Sequence, residues 1–239
     1  MTELSPAEVF IRPAATVILA RDSADGVEVL MVRRNSSAAF MGGAHVFPGG
    51  ALDDTDRSEL ARAAVSWSGA PEEFPWRAAA LRELVEEAGI VVGTADLGSG
   101  LEGGDVYRAV AESGGSLDAD ALEYVSNWVT PLGSPRRFDT RFYVAAAFGE
   151  AVADEREVFD AAWVRPEDAL AAADSGDWVL EFPTRVHLET FSNDPTAAAL
   201  IEHAAAMEVK RVEPRPILEG NGSIRFLVPG DPGFEGTNS

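Results

Sequence analysis

The chain has 239 residues, a hydrophobic fraction of 46%, no cysteine and a formal net charge of −21, enough for one large domain or one domain with an extension. The lack of cysteine excludes disulfides, thiolate catalysis and cysteine-based zinc sites, and the acidic balance argues against general binding of nucleic acid. No apolar run approaches the ~18 residues of a membrane span, and Met1–Ser5 has no basic region leading into an apolar segment, so neither a membrane anchor nor a signal peptide is expected and a cytoplasmic enzyme is.

Ala14–Ala20 is apolar and β-rich and predicts a buried strand. The turn cluster Asp22-Ser23-Ala24-Asp25-Gly26 leads to a second strand, Val27–Arg34, and the two are expected to pair as a hairpin. Asn35–Ala44 reads as a loop, and Val46-Phe47 as a short extended piece broken by Pro48-Gly49-Gly50. A short helix over Leu60–Trp67 and a loop over Ser68–Phe74 follow. Pro75 suits the first turn of the next helix, where a missing N–H costs little. That helix runs through Ala88 in good helix formers, with Gly89 placed to stop it. Further helices are predicted over Asp105–Glu112 and Asp118–Tyr124, then an extended segment to Thr130. Long strands at Arg137–Phe148 and Val158–Val164 precede helices at Pro166–Ala173, Thr184–Phe191 and Thr196–Met207 and a late strand at Ile224–Val228. Strand-rich segments interrupted by helices, without a regular βαβ repeat, argue an α+β fold.

Two stretches carry chemistry. In the helix ending at Gly89, Glu83, Glu86 and Glu87 fall within a sector of roughly 100°, opposite Leu81, Leu84, Val85 and Ala88. Periodicity leaves two readings of that face, a solvated acidic surface or a divalent-cation site. Arg82 is spaced to pair with Glu86. The second stretch, Phe40–Gly50, contains Gly42-Gly43 and Gly49-Gly50, and glycine lets backbone N–H groups approach phosphate oxygens.

Together, Pro48-Gly49-Gly50 and Arg82-Glu83-Leu84-Val85-Glu86-Glu87-Ala88-Gly89-Ile90 resemble the signature of the Nudix hydrolases, G-x5-E-x7-R-E-U-x-E-E-x-G-U with U apolar. The second half is complete. Gly50 lies 32 positions before Arg82 where the signature has 14, so about 18 residues are inserted and the early acidic residue has no evident counterpart; Glu72 and Glu73 are candidates. Phe40–Gly50, Asp53–Asp56 and Arg137-Phe138-Asp139-Thr140 are similar to the acyl-CoA diphosphatase subgroup, although the arginine of the CoA pattern is Ala39 here.

The resemblance implies a Nudix-type α/β/α sandwich with a mixed sheet over residues 9–176, interrupted at about 53–74, and a mainly helical extension over 177–239 packed on or capping the core. It implies metal-dependent hydrolysis of a phosphoanhydride in a nucleoside diphosphate joined to another group. CoA or acyl-CoA leads, with 3′,5′-ADP and a phosphopantetheine compound as products; NADH-like dinucleotides or ADP-ribose follow, and a nucleotide-sensing module that does not cleave is the alternative. Glu83, Glu86 and Glu87 would hold Mg²⁺ or Mn²⁺, Arg82 would orient them, and the general base would be Glu83 or Glu87, sharing the role with metal binding, or Glu155 or Glu157 from a later loop. Gly49, Gly50, Arg33, Arg34, Phe40 and His45 are candidate substrate contacts, with only one of the two adjacent arginines expected to point inward from a strand. A small-molecule substrate is expected and neither nucleic acid nor membrane; the helices after Thr184 leave a lid, a groove, a homodimer face or a plain helical cap open.

Overall fold

The computed structural model describes residues 10–34, 43–147, 158–220, 222 and 224–234. Its first half contains strands β1 (Ile11–Ser23), β2 (Gly26–Arg34), β3 (His45–Val46) and β4 (Gly49–Ala51), a 3-10 turn at Asp54–Arg57, helix α1 (Glu59–Ala64), strand β5 (Val65–Ser66), and helices α2 (Phe74–Ala88) and α3 (Gly104–Ser113). Strands β6 (Leu117–Asp118), β7 (Glu123–Val129), β8 (Arg137–Ala146) and β9 (Val158–Val164) come next. Helices α4 (Pro166–Ser175), α5 (Phe182–Phe191) and α6 (Ala197–Ala206) and strands β10 (Arg211–Val212), β11 (Arg215–Leu218) and β12 (Ile224–Leu227) complete the order.

β1 is the hub of a mixed sheet. It runs parallel to β8 over ten residues, from Ile11 opposite Arg137 to Ala20 opposite Ala146. Its other edge is divided: β2 pairs antiparallel with Ala20–Ser23, and β4 pairs with Ala14–Thr16. The expected hairpin is thus present, and β4 brings Gly49-Gly50 into the sheet beside its exit. The strand order is β10-β7-β8-β1-β2-β3, with β9 also on β2.

Side chains alternate across this sheet, as strand geometry requires. Val17 and Leu19 of β1, Leu30 of β2 and Tyr143 of β8 join α1, α2 and α3 in one core. Ile18, Val29 and Phe142 join α4, α5 and α6 in a second core on the opposite face. Burial on both faces explains why β1 reads as a continuous apolar run. The result is the α+β sandwich expected, with α5 and α6 supplying Leu188, Phe191 and Leu200 to the second core.

Several elements differ from the sequence reading. Asp118–Tyr124 is not a helix. Leu117 pairs with Val65, the Ala119 N–H donates to Ser66 O, and Asp118 accepts from the Asp120 N–H, so the segment docks on the inserted chain before β7 begins. β10 forms by adding in parallel to the edge of β7, a pairing without local signal. Among the described residues no helix is long and apolar enough to cross a membrane.

Candidate active site

α2 stops where Gly89 adopts φ 64°, its N–H returning to the Leu84 and Val85 carbonyls. The helix is buried nearly all round. Leu81, Leu84, Val85 and Ala88 pack in the core, and Glu83, Glu87 and Arg82 are also buried. The acidic face is therefore not a solvated one. It forms a wall of a cavity of about 1050 Å³ shared with Gly49 and Gly50.

One guanidinium organises this wall. Arg82 Nη1 donates to Glu83 Oε1 at 2.8 Å and to Glu86 Oε1 at 3.0 Å. Its Nε and Nη2 grip both oxygens of Asp56, at 2.7 and 3.0 Å, and Nη2 reaches Ala51 O at 3.2 Å. Asp56 is fully buried and also accepts from Tyr107 Oη at 2.6 Å and from the Asp53 N–H at 2.7 Å. Glu86 accepts from the Gly103 N–H at 2.6 Å, and Glu87 from the Gly49 N–H at 2.9 Å.

Asp56 corrects the sequence reading of the insertion. It stands six positions after Gly50, the spacing of the early acidic residue in the box. The extra chain therefore follows Asp56, and Asp56 takes the place for which Glu72 and Glu73 were candidates. Glu73 pairs instead with Arg77 at 3.4 Å, within the first turns of α2. Counting forward from Gly50 rather than back from Arg82 would have found Asp56. The shortened side chain is compensated by the 3-10 turn, which carries its carboxylate to the guanidinium.

Gly49 is a steric requirement against backbone, and Gly50 leaves the Glu83 carboxylate its place. A Cβ on Gly50 would lie 2.5 Å from Glu83 Oε1, and one on Gly49 would lie 2.6 Å from Thr16 Cα. The electrostatics are those of a site short of positive charge. Burial lifts Glu83 to about 7 against the pull of Arg82, and lifts Glu86 above the ordinary carboxylate range. Four carboxylates with one arginine among them are hard oxygen donors suited to a divalent cation. Among the described residues no three His, Asp or Glu groups converge closely enough to hold a metal ion. Glu83 and Glu86 are turned to Arg82, and Glu87 to Gly49. The donor set thus fits such an ion in kind and charge, with rotation of these side chains needed to assemble it.

Of the other sequence candidates, Arg34 lines the cavity and its buried Nε has no hydrogen-bond partner. Arg33 is exposed, as strand alternation requires. Arg34 opposes the burial that lifts the Glu181 carboxyl above its usual range. His45 is not in the cavity lining; its ring stacks on Trp178 at 3.9 Å and 6° between planes, and its backbone N–H donates to Val179 O. Phe40, Glu155 and Glu157 lie outside the described residues. Arg12 and Arg136 join Arg34 on the lining, so the cavity carries arginines although the chain as a whole is strongly negative. Sequence reasoning also missed Phe182 and Phe226, which line the cavity far from α2.

The NUDIX domain family model matches residues 11–182. The putative nudix hydrolase 7 of Caenorhabditis elegans is 30% identical over 233 residues, covering 92% of this chain and 73% of its own. The acyl-coenzyme A diphosphatase NUDT19 of Homo sapiens is 26% identical, covering 87% of this chain and 72% of its own. A crystal structure of a NUDIX hydrolase from Alicyclobacillus acidocaldarius superposes with a TM-score of 0.68 at 28% identity, over 85% of this chain and 99% of the other.

Proposed function

The chain belongs to the Nudix hydrolase family, and from that premise we propose that it is a metal-dependent diphosphatase acting on CoA or acyl-CoA. One water is added across the phosphoanhydride, giving 3′,5′-ADP and phosphopantetheine or its acyl thioester. The observation that carries the reading is the meeting of Glu83, Glu86 and Glu87 with the Gly49-Gly50 turn on the wall of one large cavity. Relatives named acyl-coenzyme A diphosphatase support the choice of substrate.

Glu83, Glu86 and Glu87 would hold Mg²⁺ or Mn²⁺. When bound, such an ion neutralises phosphate charge, acidifies a water and stabilises the leaving phosphate. The chain's own residues do the rest. Gly49 and Gly50 let β4 lie directly against the β1 backbone and the Glu83 carboxylate, where a Cβ would intrude, and the Gly49 N–H holds Glu87. Arg82, clamped by Asp56, keeps Glu83 and Glu86 on the cavity side of α2. Arg34, on the cavity lining, brings a fixed positive charge to the substrate anion. A composition free of cysteine fits the cytoplasmic setting proposed for it.

The test is a panel of CoA, acyl-CoA, NADH and ADP-ribose with Mg²⁺ or Mn²⁺, with products identified by mass spectrometry. We expect cleavage of the CoA compounds to 3′,5′-ADP, and a loss of at least about a hundredfold in kcat for Glu86→Gln with the fold intact. Undiminished turnover by Glu86→Gln would overturn metal catalysis at this helix. Cleavage of NADH or ADP-ribose alone would overturn the substrate.

A further inference from the structure

The cavity continues away from the carboxylates to an aromatic end. Trp128 of β7 meets Phe182 of α5 edge-to-face, with ring centroids 5.8 Å apart. Phe182 meets Phe226 of β12 at 5.4 Å with the planes 30° apart. All three rings line the cavity. Phe226 comes from the β11–β12 hairpin, beyond the part of the chain that the family model matches.

The hairpin is tied to this place. β10 pairs with β7 through Val212 opposite Trp128, and the Asn127 N–H donates to Lys210 O. Buried Arg137 bridges Thr130 O and Glu213 at 2.9 and 2.5 Å. Pro214, next in the chain, lines the cavity.

The polar groups behind the aromatic wall are used up among themselves. Trp128 Nε1 donates to Ser126 Oγ at 3.2 Å. His187 Nδ1 lies 2.6 Å from Pro183 O, which can only accept, so Nδ1 carries the proton and Nε2 is an acceptor. Ser126 Oγ, 2.7 Å from Nε2, is then the donor of that bond. The indole N–H is therefore directed into the protein, and Trp128, Phe182 and Phe226 offer the cavity only carbon. Such faces suit an apolar chain, which needs no hydrogen-bond partner when it leaves water.

We propose that Trp128, Phe182 and Phe226 form the binding wall for an apolar chain carried by the diphosphate substrate, and that the β11–β12 hairpin sets preference for an acyl thioester over the free thiol through Phe226. The inference rests on the diphosphatase reading above, because the same cavity holds the α2 carboxylates at its other end.

The experiment compares kcat/KM for CoA, butanoyl-CoA, octanoyl-CoA and dodecanoyl-CoA in the wild type, Phe226→Ala and Phe226→Leu. Thermal melts check folding, and calorimetry measures binding of octanoyl-pantetheine, which lacks the diphosphate. In the wild type kcat/KM should rise with chain length, by up to roughly fourfold for each methylene that reaches the wall. Phe226→Ala should flatten that slope and Phe226→Leu retain part of it. A general loss of catalysis would lower every substrate alike and leave the slope unchanged. Octanoyl-pantetheine should bind the wild type about tenfold more tightly than the alanine variant, the equivalent of burying one to two methylenes. Equal slopes in wild type and folded variants, or no binding of octanoyl-pantetheine, would overturn the proposal; if the alanine variant does not fold, the leucine variant decides the slope. Phe226-dependent binding of octanoyl-pantetheine without hydrolysis of any CoA compound would leave the apolar site standing and remove the diphosphatase reading.

Discussion

The two ends of the cavity are built on opposite principles. At the α2 end, direction and charge do the positioning. Arg82 serves Asp56, Glu83 and Glu86 at once, and each partner is buried or half-buried. At the aromatic end, Trp128, Phe182 and Phe226 meet by shape and dispersion, with the Ser126–His187 bonds hidden behind them. A buried ionic network fails when one member is removed, because the charge left behind is unpaired. An aromatic wall loses contact area in proportion to what is cut away. On the proposed reading, the first end performs the chemistry that tolerates no misplacement, and the second receives a substrate portion that varies in length.

That contrast can be broken most directly at Asp56. Asp56→Ala leaves the Arg82 guanidinium and the Tyr107 hydroxyl without their buried acceptor. We expect a loss of about 3–5 kcal/mol in urea-unfolding free energy. A loss below about 1 kcal/mol would show that Arg82 is not held as an ionic network.

A slightly smaller effect is expected from pH at the other end. Burial drives His187 down to about 4 from an ordinary value of 6.5. The unfolded chain takes up its proton near pH 6.5 while the folded chain refuses it until about pH 4. Stability from this group is therefore complete above pH 6.5 and is lost as pH falls through that window, by about 3 kcal/mol in all. The difference in unfolding free energy between the wild type and His187→Gln, followed from pH 7 to pH 4, should change by that order. A constant difference would mean that His187 is protonated or exposed in the folded state.

Cation binding sharpens the comparison from the side of the carboxylates. Mn²⁺ at a hundredfold excess over its Kd should stabilise the wild type by roughly 2.7 kcal/mol. The shift should shrink in Glu87→Gln and in Gly50→Ala, whose Cβ meets the Glu83 carboxylate. Thermal melts with and without Mn²⁺ measure it, and an equal shift in all three proteins would place the cation elsewhere. The smallest effect is expected at Phe182→Leu, which removes two ring contacts at the cavity wall. About 1 kcal/mol is expected from chemical denaturation; a loss as large as that of Asp56→Ala would erase the distinction between the two ends.

The sequence by itself determined the parts that repeat at short range. The 3.6-residue periodicity of α2, its stop at Gly89, the β1–β2 hairpin and the pairing of Arg82 with Glu86 are all local, and the structure has each of them. Local pattern also identified Gly49-Gly50, because the residues that must approach the helix lack a Cβ. Tertiary structure alone decided what the acidic face meets. Buried Glu83 and Glu87 and a solvated face share one periodicity, and only the packing of β4, the 3-10 turn and α3 around α2 separates them. It also chose Arg34 over Arg33 for the cavity, put His45 on Trp178, and brought Phe226 to Phe182 across 44 positions of sequence. Those contacts form between segments distant in the chain, whose approach is set by the closing of the sheet and the two cores, and no local spacing records it.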